Sequence, residues 1–572
     1  MIGYERSVGR INLATEILLL VNTNMDDTDL RCLEIDFNGS NAAKILRRFV
    51  DDNALTFTFE DLSKNGKRQR LFNIIFKYLQ KAEMQECHIK CLESLRILSR
   101  DKTGLNDVLD ESKIAVLLKL SCLYTIDETS TNVMELSNTD IIVEALKVLC
   151  NLVFNSTVAA TLVSQTHAIE GILVRLRMYR EPGVPENIKL FDMKLLFLIT
   201  ALCPNIRPKL KEEFHGLVYL TETLDLILKE SAPSSKNEHR VRISDSDADL
   251  CCEILKVIFN LMTKRMSIGD ASDAVEDQEE ALCLRLTSIL HDLLISEVSD
   301  GKRNEVRNHT VNLLTSVPFK CYSEMTTPAV DDLPKEFEYN GRSMEAIEIL
   351  LEFLNDKLTP EKSKGKQELL SPILTVLLNL VKNQRLVRKF LRYRILPPLK
   401  DVWTRPEEGD SLRAKLCRLL TSTSTTVKDL TAEFLFTLCK ENVGRMVKYT
   451  GYGNAAGMFA TRGLMLGNPR SNSSSSSYSS DSDSDTEEYI KYADQINPVV
   501  GRCEPPRPNP MEGMSEEQKE YEALKLANMM DKLSREGIVQ PCRIGEDGRP
   551  QPVEHILQLQ EDLPRQQFKP KK

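Results

Sequence analysis

A repeated apolar helical motif constrains the fold of this chain more than any other feature. Its clearest copy is EALKVLCNLV at residues 144–153, where Leu146, Leu149 and Val153 recur at helical spacing. The last residue of the repeated hexapeptide falls at 100, 151, 198, 260, 316, 379 and 437, at intervals of 51, 47, 62, 56, 63 and 58 residues. Armadillo and HEAT units repeat every ~40–47 residues. The spacing therefore predicts an all-α, armadillo/HEAT-like helical solenoid with loops inserted between its helices.

Two polar positions recur in the hexapeptide, four residues apart, so they lie on one helix face. Asn amides both donate and accept hydrogen bonds and can hold a peptide main chain, while Arg and Lys attract a carboxylate. We therefore expect a binding groove on the concave side of the solenoid. The same pattern is also typical of the solvated edge of an amphipathic helix. The candidate groove residues are Arg96, Arg100, Lys147, Asn151, Lys256 and Asn260, with Asn312 and Ser316 in the next copy.

Composition limits the partners and the compartment. A net charge of −9 argues against nucleic acid as the main partner. The 14 cysteines show no paired spacing, which indicates a reducing compartment and predicts neither disulfides nor a metal site. Glu16 interrupts the N-terminal apolar run, so no signal peptide is expected. No run approaches the ~18 apolar residues of a membrane span. We expect a cytoplasmic protein without a transmembrane segment.

Changes in composition along the chain divide it into four parts. A Gly-rich stretch and a run of Ser and Asp follow the last helical repeat, and they have too little apolar surface to fold alone. Ser515 and Gln518 then resemble a capping box that opens an amphipathic helix over 516–536. Surface loops are predicted at 231–249, 267–280, 328–341 and 359–367. The domains predicted are an armadillo-like solenoid at 1–448, a regulatory linker at 449–510, a C-terminal clamp helix at 511–541 and a disordered tail at 542–572.

Motifs for covalent chemistry are absent from the sequence. It contains no G-x-x-x-x-G-K-[ST], G-x-S-x-G or H-E-x-x-H. The glycines of residues 451–457 lack the spacing of a dinucleotide-binding turn. We therefore expect a binding protein that is not an enzyme, with no cofactor.

A cluster of serines precedes an acidic run. Ser480, Ser482 and Ser484 each have an acidic residue three positions later, which is the pattern that acidic-directed protein kinases read. We predict that these three serines are phosphorylated. The alternative is an acidic spacer that needs no phosphate.

Several segments resemble those of a known family, the synembryns, over about residues 57–541. The segments are SLRILSRD (94–101), FD (191–192), LLFL (195–198), AEFLF (432–436), KYTGYGNAAG (448–457), DTEEY (485–489), INPV (496–499), NPMEGM (509–514) and DKLSR (531–535). The resemblance implies a cytosolic chaperone and guanine-nucleotide exchange factor for the α subunits (Gα) of heterotrimeric G proteins, recruited in part to the cell cortex through Gα.

The resemblance also implies a binding mode and a mechanism. The concave face would hold the C-terminal helix of GDP-bound or nucleotide-free Gα through Arg96, Arg100 and Asn151. Drawing that helix away would weaken the hold of Gα on GDP, by reciprocal linkage and without a covalent step. The alternative is a generic armadillo-repeat peptide adaptor such as a nuclear-import receptor. That alternative needs Trp beside the Asn ladder, and the chain has only Trp403.

Overall fold

The computed structural model describes residues 25–35, 39–63, 66–123, 138–179, 183–232, 240–263, 273–329, 334–359, 367–466, 485–504 and 511–553. Helices dominate these residues, and the strands among them are two or three residues long. The all-α class predicted from the repeat is thereby confirmed. The chain divides into two compact units, Met1–Ser316 and Val317–Lys572, and each is described by itself.

The first unit is built from helices α1 to α16. A 3₁₀ turn at Ala82–Met84 and a π-helical turn at Lys209–Glu213 interrupt them. The helices are α1 (Asp27–Ile35), α2 (Gly39–Asp52), α3 (Glu60–Ser63), α4 (Lys67–Leu79), α5 (Gln85–Leu98), α6 (Leu105–Val108), α7 (Glu111–Leu120), α8 (Thr139–Asn155), α9 (Thr157–Gln165), α10 (Ala168–Arg177), α11 (Glu186–Leu202), α12 (Ile206–Pro208), α13 (Gly216–Glu230), α14 (Asp245–Met262), α15 (Asp273–Ile295) and α16 (Asp300–Leu314).

A ladder of helices runs through the first unit. The helices α2, α5, α8, α11, α14 and α16 pack side by side in chain order, each against the next. The repeated hexapeptide lies on or at the end of each rung from α5 onward, and its apolar residues Leu146, Leu149 and Val153 are buried. Because each rung buries its apolar side against its neighbours, the core grows by addition. The predicted solenoid is thus confirmed, and α2 adds a rung that the repeat did not predict.

A buried ion pair joins α10 to α11, which is one of the rungs. Arg175 and Asp192 pair with side chains that are 0% exposed, and Arg175 also donates to the Ser121 carbonyl at 2.6 Å. Tyr179 donates its hydroxyl to Asp192 at 3.4 Å. Burial raises the pKa of Asp192 to about 6, against the lowering effect of Arg175. The pair fixes the position of α11 within the core, because each charge is satisfied only where the other lies.

The second unit combines helices with three small antiparallel sheets. Its 3₁₀ turns are Phe319–Met325, Gln367–Leu370 and Ala493–Gln495. The helices are α17 (Glu345–Lys357), α18 (Ser371–Asn383), α19 (Arg385–Ile395), α20 (Leu412–Leu419), α21 (Thr425–Leu438), α22 (Val443–Thr450), α23 (Tyr452–Arg462), α24 (Glu487–Tyr492) and α25 (Glu516–Arg535). The strands are β1 (Thr327–Pro328), β2 (Glu338–Tyr339), β3 (Arg342–Ser343), β4 (Ile496–Asn497), β5 (Arg502–Cys503), β6 (Cys542–Ile544) and β7 (Pro550–Pro552), ordered β1–β3–β2, β4–β5 and β6–β7.

Three stretches predicted to lack regular structure contain helices, and the tail predicted to be disordered from residue 542 contains the β6–β7 pair. The loop predicted at 231–249 overlaps α14, which begins at Asp245. The loop predicted at 267–280 overlaps α15, which begins at Asp273. The linker predicted at 449–510 contains α23, α24 and the β4–β5 pair, and Ala455 and Phe459 of α23 are buried. The rest of the second unit supplies the apolar surface that the linker segments lack, so composition alone underestimated their order.

The C-terminal helix forms where the sequence predicted it. Ser515 accepts from the backbone N–H of Gln518, and Gln518 accepts from the Ser515 N–H, so the predicted capping box is confirmed. The helix ends at Arg535, one residue before the predicted end.

Some predictions fall on residues outside the described ranges. Ser480, Ser482 and Ser484 are among them, as is the tail after residue 553.

Within the described ranges no single helix has the length and apolarity to cross a membrane. Among the described helices, one consecutive pair, α8 and α9, has the required length and composition when taken together, but it is bent by 120° at its break.

Candidate partner-binding face of the helical ladder

The predicted groove residues lie on successive rungs of the ladder. Arg96 is on α5 and Arg100 just beyond its end, Lys147 and Asn151 are on α8, and Lys256 and Asn260 are on α14. Contacts between rungs connect them, and together with Lys194 on α11 they are called the ladder face below. Arg96 and Arg100 do not form a one-turn pair on a continuous helix, because α5 ends at Leu98.

The asparagine side chains of the ladder face connect one rung to the next. Asn151 donates its amide to the Arg96 carbonyl at 3.0 Å, and Asn155 donates to the Ser99 carbonyl at 2.9 Å. Asn260 donates to the Thr200 hydroxyl at 3.0 Å and to the Phe197 carbonyl at 3.3 Å. These donors are therefore used inside the protein. The amide oxygen of Asn151 has no hydrogen-bond partner among the described residues, so it can accept from a peptide N–H.

Two buried or half-buried glutamates partly neutralise the basic residues. Glu144 pairs with Arg96 at 2.9 Å and with Lys147 at 2.6 Å, and only 13% of its side chain is exposed. Glu253 pairs with Lys256 at 2.7 Å. Burial raises the pKa of Glu253, against the lowering effect of Lys256. A partner's carboxylate would therefore compete with Glu144 for Arg96 and Lys147.

Arg100 lies in a different environment. Its guanidinium donates to the Ala54 carbonyl at 2.9 Å and the Thr56 carbonyl at 3.2 Å, and it lies 5.2 Å from the centre of the Phe57 ring. Burial, and then the charge of Arg96, lower the pKa of Arg100. Within the described part of the chain it has no carboxylate partner. Arg100 and Lys194 are thus the cations of this face that form no ion pair within the described residues, and of the two only Arg100 has a guanidinium that can hold a carboxylate through two parallel hydrogen bonds.

Phenylalanine rings support the lysine side chains of the face. Lys147 and Lys194 lie 5.4 and 4.9 Å from the centre of the Phe191 ring, and Lys256 lies 5.0 Å from that of Phe197. Cation–π contacts of this kind are worth ~0.5–1 kcal/mol at exposed sites. They hold the ammonium groups along the ladder rather than letting them extend into solvent.

Three residues of this region were not among the predicted groove residues, although the sequence contains a signal for each of them. Lys194 occupies the first polar position of the weak copy at 193–198, where Lys147 stands in the clearest copy. Glu144 and Glu253 each stand three residues before a ladder-face lysine. That spacing places each carboxylate beside its lysine on one helix face. Considering each copy together with the preceding helical turn would have revealed all three.

The second unit presents an exposed amphipathic helix with several exposed apolar side chains. No residue of α25 is buried, and 65% of Tyr521, 63% of Leu524 and 53% of Met529 are exposed. Both flanks of α25 are attached to the second unit. Cys503 donates its N–H to the Val402 carbonyl at 2.7 Å on one side, and on the other Met465 donates to the Gly548 carbonyl at 3.2 Å.

The segment that follows the serine cluster is also attached to this unit. Asp485 forms an ion pair with Lys448, and the Thr486 hydroxyl donates to the Leu399 carbonyl. Nearby basic residues of α18 and α19 are engaged within the unit. Lys382 pairs with Glu433, Arg388 donates to the Val381 carbonyl and Arg392 donates to the Leu438 carbonyl.

An all-α solenoid with a basic and amide-bearing ladder face belongs to the class of helical-repeat binding proteins. Comparison with known families identifies the family within this class to which the chain belongs. The model of the family described as "Guanine nucleotide exchange factor synembryn" matches residues 91–549. The chain belongs to the synembryn family.

Relatives of this chain support the assignment over nearly the whole length. It is 41% identical to the chicken (Gallus gallus) protein "Chaperone Ric-8A" over 520 residues, which cover 90% of this chain and 93% of the relative. It is 38% identical to the mouse (Mus musculus) "Chaperone Ric-8A", covering 91% and 93%. For "Chaperone Ric-8" of Drosophila pseudoobscura pseudoobscura the identity is 38%, covering 92% and 96%.

Among solved structures, one chain titled "Crystal complex of SYS-1/POP-1 at 2.5A resolution" overlaps 72% of this chain and 72% of its own length. The TM-score is 0.45 and the identity 12%, which is too distant to inform the function.

Proposed function

We propose that this chain is a guanine-nucleotide exchange factor and folding chaperone for G-protein α subunits. In this proposal the ladder face binds the C-terminal helix of GDP-bound or nucleotide-free Gα. The family description supports the exchange activity, and the names of the relatives support the chaperone activity. No covalent step is needed, since binding that draws the helix away from the nucleotide site lowers nucleotide affinity through linkage.

The observation that carries the binding mode is the environment of Arg100. Its guanidinium has no carboxylate partner in the described chain and lies against the Phe57 ring, which is 59% exposed. A peptide that ends in an apolar side chain and a free carboxylate would complete both contacts. The Asn151 oxygen would accept a main-chain N–H of the same peptide. Lys147, Lys194 and Lys256 would attract acidic side chains along the remaining rungs.

The test compares Arg100→Ala with wild type by calorimetry, using GDP-loaded Gα with and without its C-terminal residues. Loss of a desolvated charge contact should weaken binding of intact Gα by roughly 2–5 kcal/mol. Arg96→Ala should have a smaller effect, because Glu144 already neutralises Arg96 in part. Lys229→Ala, on α13 and 64% exposed, serves as the control.

Truncated Gα should bind wild type and Arg100→Ala equally weakly, because the group that Arg100 contacts has been removed. If Arg100→Ala and wild type bind intact Gα equally, the proposed binding mode is wrong. A generic peptide adaptor, the alternative function, would bind the Gα peptide without accelerating nucleotide release. Loading of Gα with GTPγS measures that difference directly.

We also propose that an acidic-directed protein kinase phosphorylates Ser480, Ser482 and Ser484. Each phosphate adds about −1.5 to −2 charges at neutral pH. Asp485, the residue after Ser484, forms an ion pair with Lys448. In this proposal the phosphorylated segment docks on the basic helix α19 and rigidifies the C-terminal half of the chain. Arg388 and Arg392 of α19 keep their positive charge, but each already uses one N–H group on a main-chain carbonyl.

Phosphorylation should therefore raise Gα exchange, and the gain should shrink as salt screens the contact. The measurement compares kinase-treated wild type with kinase-treated Ser480→Ala/Ser482→Ala/Ser484→Ala. Equal exchange rates would show that the serine cluster is only a solvated acidic spacer. The protein would act in the cytoplasm and reach the cell cortex through Gα.

A further inference from the structure

Outside the ladder face, three potential metal ligands converge between the last two rungs of the first unit. Cys252 on α14 and Glu305 and His309 on α16 place their sulfur, oxygen and nitrogen ligand atoms within 4.8 Å of one another. Glu305 and His309 are four residues apart on one helix, so both side chains project from the same face. Cys252 is 2% exposed, and it faces them from the neighbouring rung.

We infer that Cys252, Glu305 and His309 form a zinc site with water as the fourth ligand. A tetrahedral zinc ion with bonds of about 2.0–2.3 Å places its ligand atoms roughly 3.3–3.8 Å apart. The three side chains therefore need to move by only roughly 1 Å to reach that geometry. The mixed sulfur, nitrogen and carboxylate set selects zinc over calcium or magnesium, which bind through oxygen.

The charges around the three ligands are compatible with a divalent cation. Two lysines lie nearby, and each has its own carboxylate: Lys256 pairs with Glu253 at 2.7 Å, and Lys302 pairs with Asp249. Lys302 also lies 3.9 Å from Glu305, and that contact is the one that zinc would replace. A thiolate and a carboxylate supply two negative charges, which balance the ion.

Binding requires the loss of one proton. Burial, and then Glu305, raise the pKa of Cys252 to about 12. Zinc displaces the thiol proton to the buffer as the zinc–sulfur bond forms, which makes its affinity dependent on pH. The ion would link α14 to α16, and it would lie on the same helix stripe as Lys256 and Asn260, which follow Cys252 by one and two turns.

The experiment uses the full chain carrying Cys32→Ser and Cys542→Ser, because these two thiols are exposed and would bind zinc on their own. Equilibrium dialysis should show one tight zinc ion per chain in this background, and zinc should raise its Tm. Cobalt in place of zinc should give the thiolate charge-transfer absorption of a Co–S bond. Cys252→Ser should abolish this absorption and weaken zinc binding at least tenfold.

Two further variants and a control keep the test decisive. Glu305→Gln changes an exposed side chain and so preserves the fold, and it should weaken zinc binding at least tenfold, as should His309→Gln. Cys251→Ser alters the adjacent buried cysteine, which is outside the set, and should leave the affinity unchanged. Absence of a tight zinc ion in the background protein overturns the inference, and so does an unchanged affinity in Glu305→Gln and His309→Gln.

Discussion

At the scale of single residues, the asparagines of the ladder face have two roles. The amide N–H groups of Asn151 and Asn260 satisfy main-chain carbonyls of the preceding rung, at Arg96 and Phe197. Each of these carbonyls also accepts from a nearby hydroxyl, that of Ser99 at 2.9 Å and that of Thr200 at 3.0 Å. The asparagine bond therefore adds only the net value of one hydrogen bond, about 0.5–1.5 kcal/mol. The free oxygen of Asn151 remains available for a partner.

Asn151→Ala should lower the free energy of unfolding by roughly 0.5–1.5 kcal/mol, because the hydrogen bond between rungs is lost while the Ser99 hydroxyl still satisfies the Arg96 carbonyl. Urea unfolding followed by circular dichroism measures the change. Asn383→Ala is the matched control, since Asn383 is exposed and donates only within its own helix, to the Asn379 carbonyl. The control should change stability by less than about 0.5 kcal/mol. Equal effects of the two substitutions would contradict the role given to Asn151.

At the scale of elements, the Gly-rich motif of residues 448–457 is a packing site. Gly451 has a φ of 73°, in a region that favours glycine. Tyr452 and Gly453 donate their N–H groups to the Pro498 and Val499 carbonyls at 2.8 and 2.9 Å. A Cβ on Gly451 would lie 3.3 Å from the carbonyl oxygen of Val499. The glycine therefore lets the chain around β4 and β5 lie directly against α23.

Gly451→Ala should destabilise the second unit by roughly 1–3 kcal/mol through backbone strain and this close contact. Proteolysis should then cleave residues 485–504 faster than in wild type. Gly457→Ala is the matched control, since Gly457 lies within helix α23 and its added Cβ would meet nothing within 4 Å. That control should be neutral or stabilising by up to ~1 kcal/mol. Unchanged cleavage in Gly451→Ala would contradict the packing role.

At the scale of the whole molecule, the two units differ in what they present. The first polar position of the repeat carries Arg96, Lys147, Lys194, Lys256 and Asn312 in the first unit, whereas it carries Thr375 and Glu433 in the second. Glu433 pairs with Lys382 and Arg462 inside the second unit. The basic ladder face is thus a property of the first unit. The second unit offers the apolar face of α25, which we propose contacts Gα as a clamp.

The clamp proposal predicts that Leu526→Glu/Met529→Glu, two exposed residues on one face of α25, weakens Gα binding without unfolding the protein. Burial of one such side chain is worth about 1.5–3 kcal/mol, so the loss of two should reduce affinity at least tenfold. Calorimetry with GDP-loaded Gα and the rate of GTPγS loading measure the effect.

Glu520→Gln/Arg535→Gln, on the polar side of the same helix, should behave as wild type. Thermal unfolding of all variants should coincide, because no residue of α25 is buried. Undiminished exchange by Leu526→Glu/Met529→Glu would show that α25 is not a clamp.

The sequence determined the features of this protein that depend on neighbouring residues. Apolar spacing gave the helices and their repeat, because helix amphipathicity is a local property. The Ser515–Gln518 capping box gave the start of α25 for the same reason. The short segments quoted for the resemblance also indicated the synembryn family, and the family comparison confirms that assignment.

Only the tertiary structure decided which groups meet across rungs. The pairing of Glu144 with Arg96, the Asn151 donor on the Arg96 carbonyl and the approach of Cys252 to His309 each join segments about one repeat apart. Their geometry depends on where α5 and α14 end and how the rungs pack. The order of α23 likewise depends on apolar surface from elsewhere in its unit, since α23 itself buries little more than Ala455 and Phe459. Local periodicity does not predict such contacts, because it describes one helix at a time.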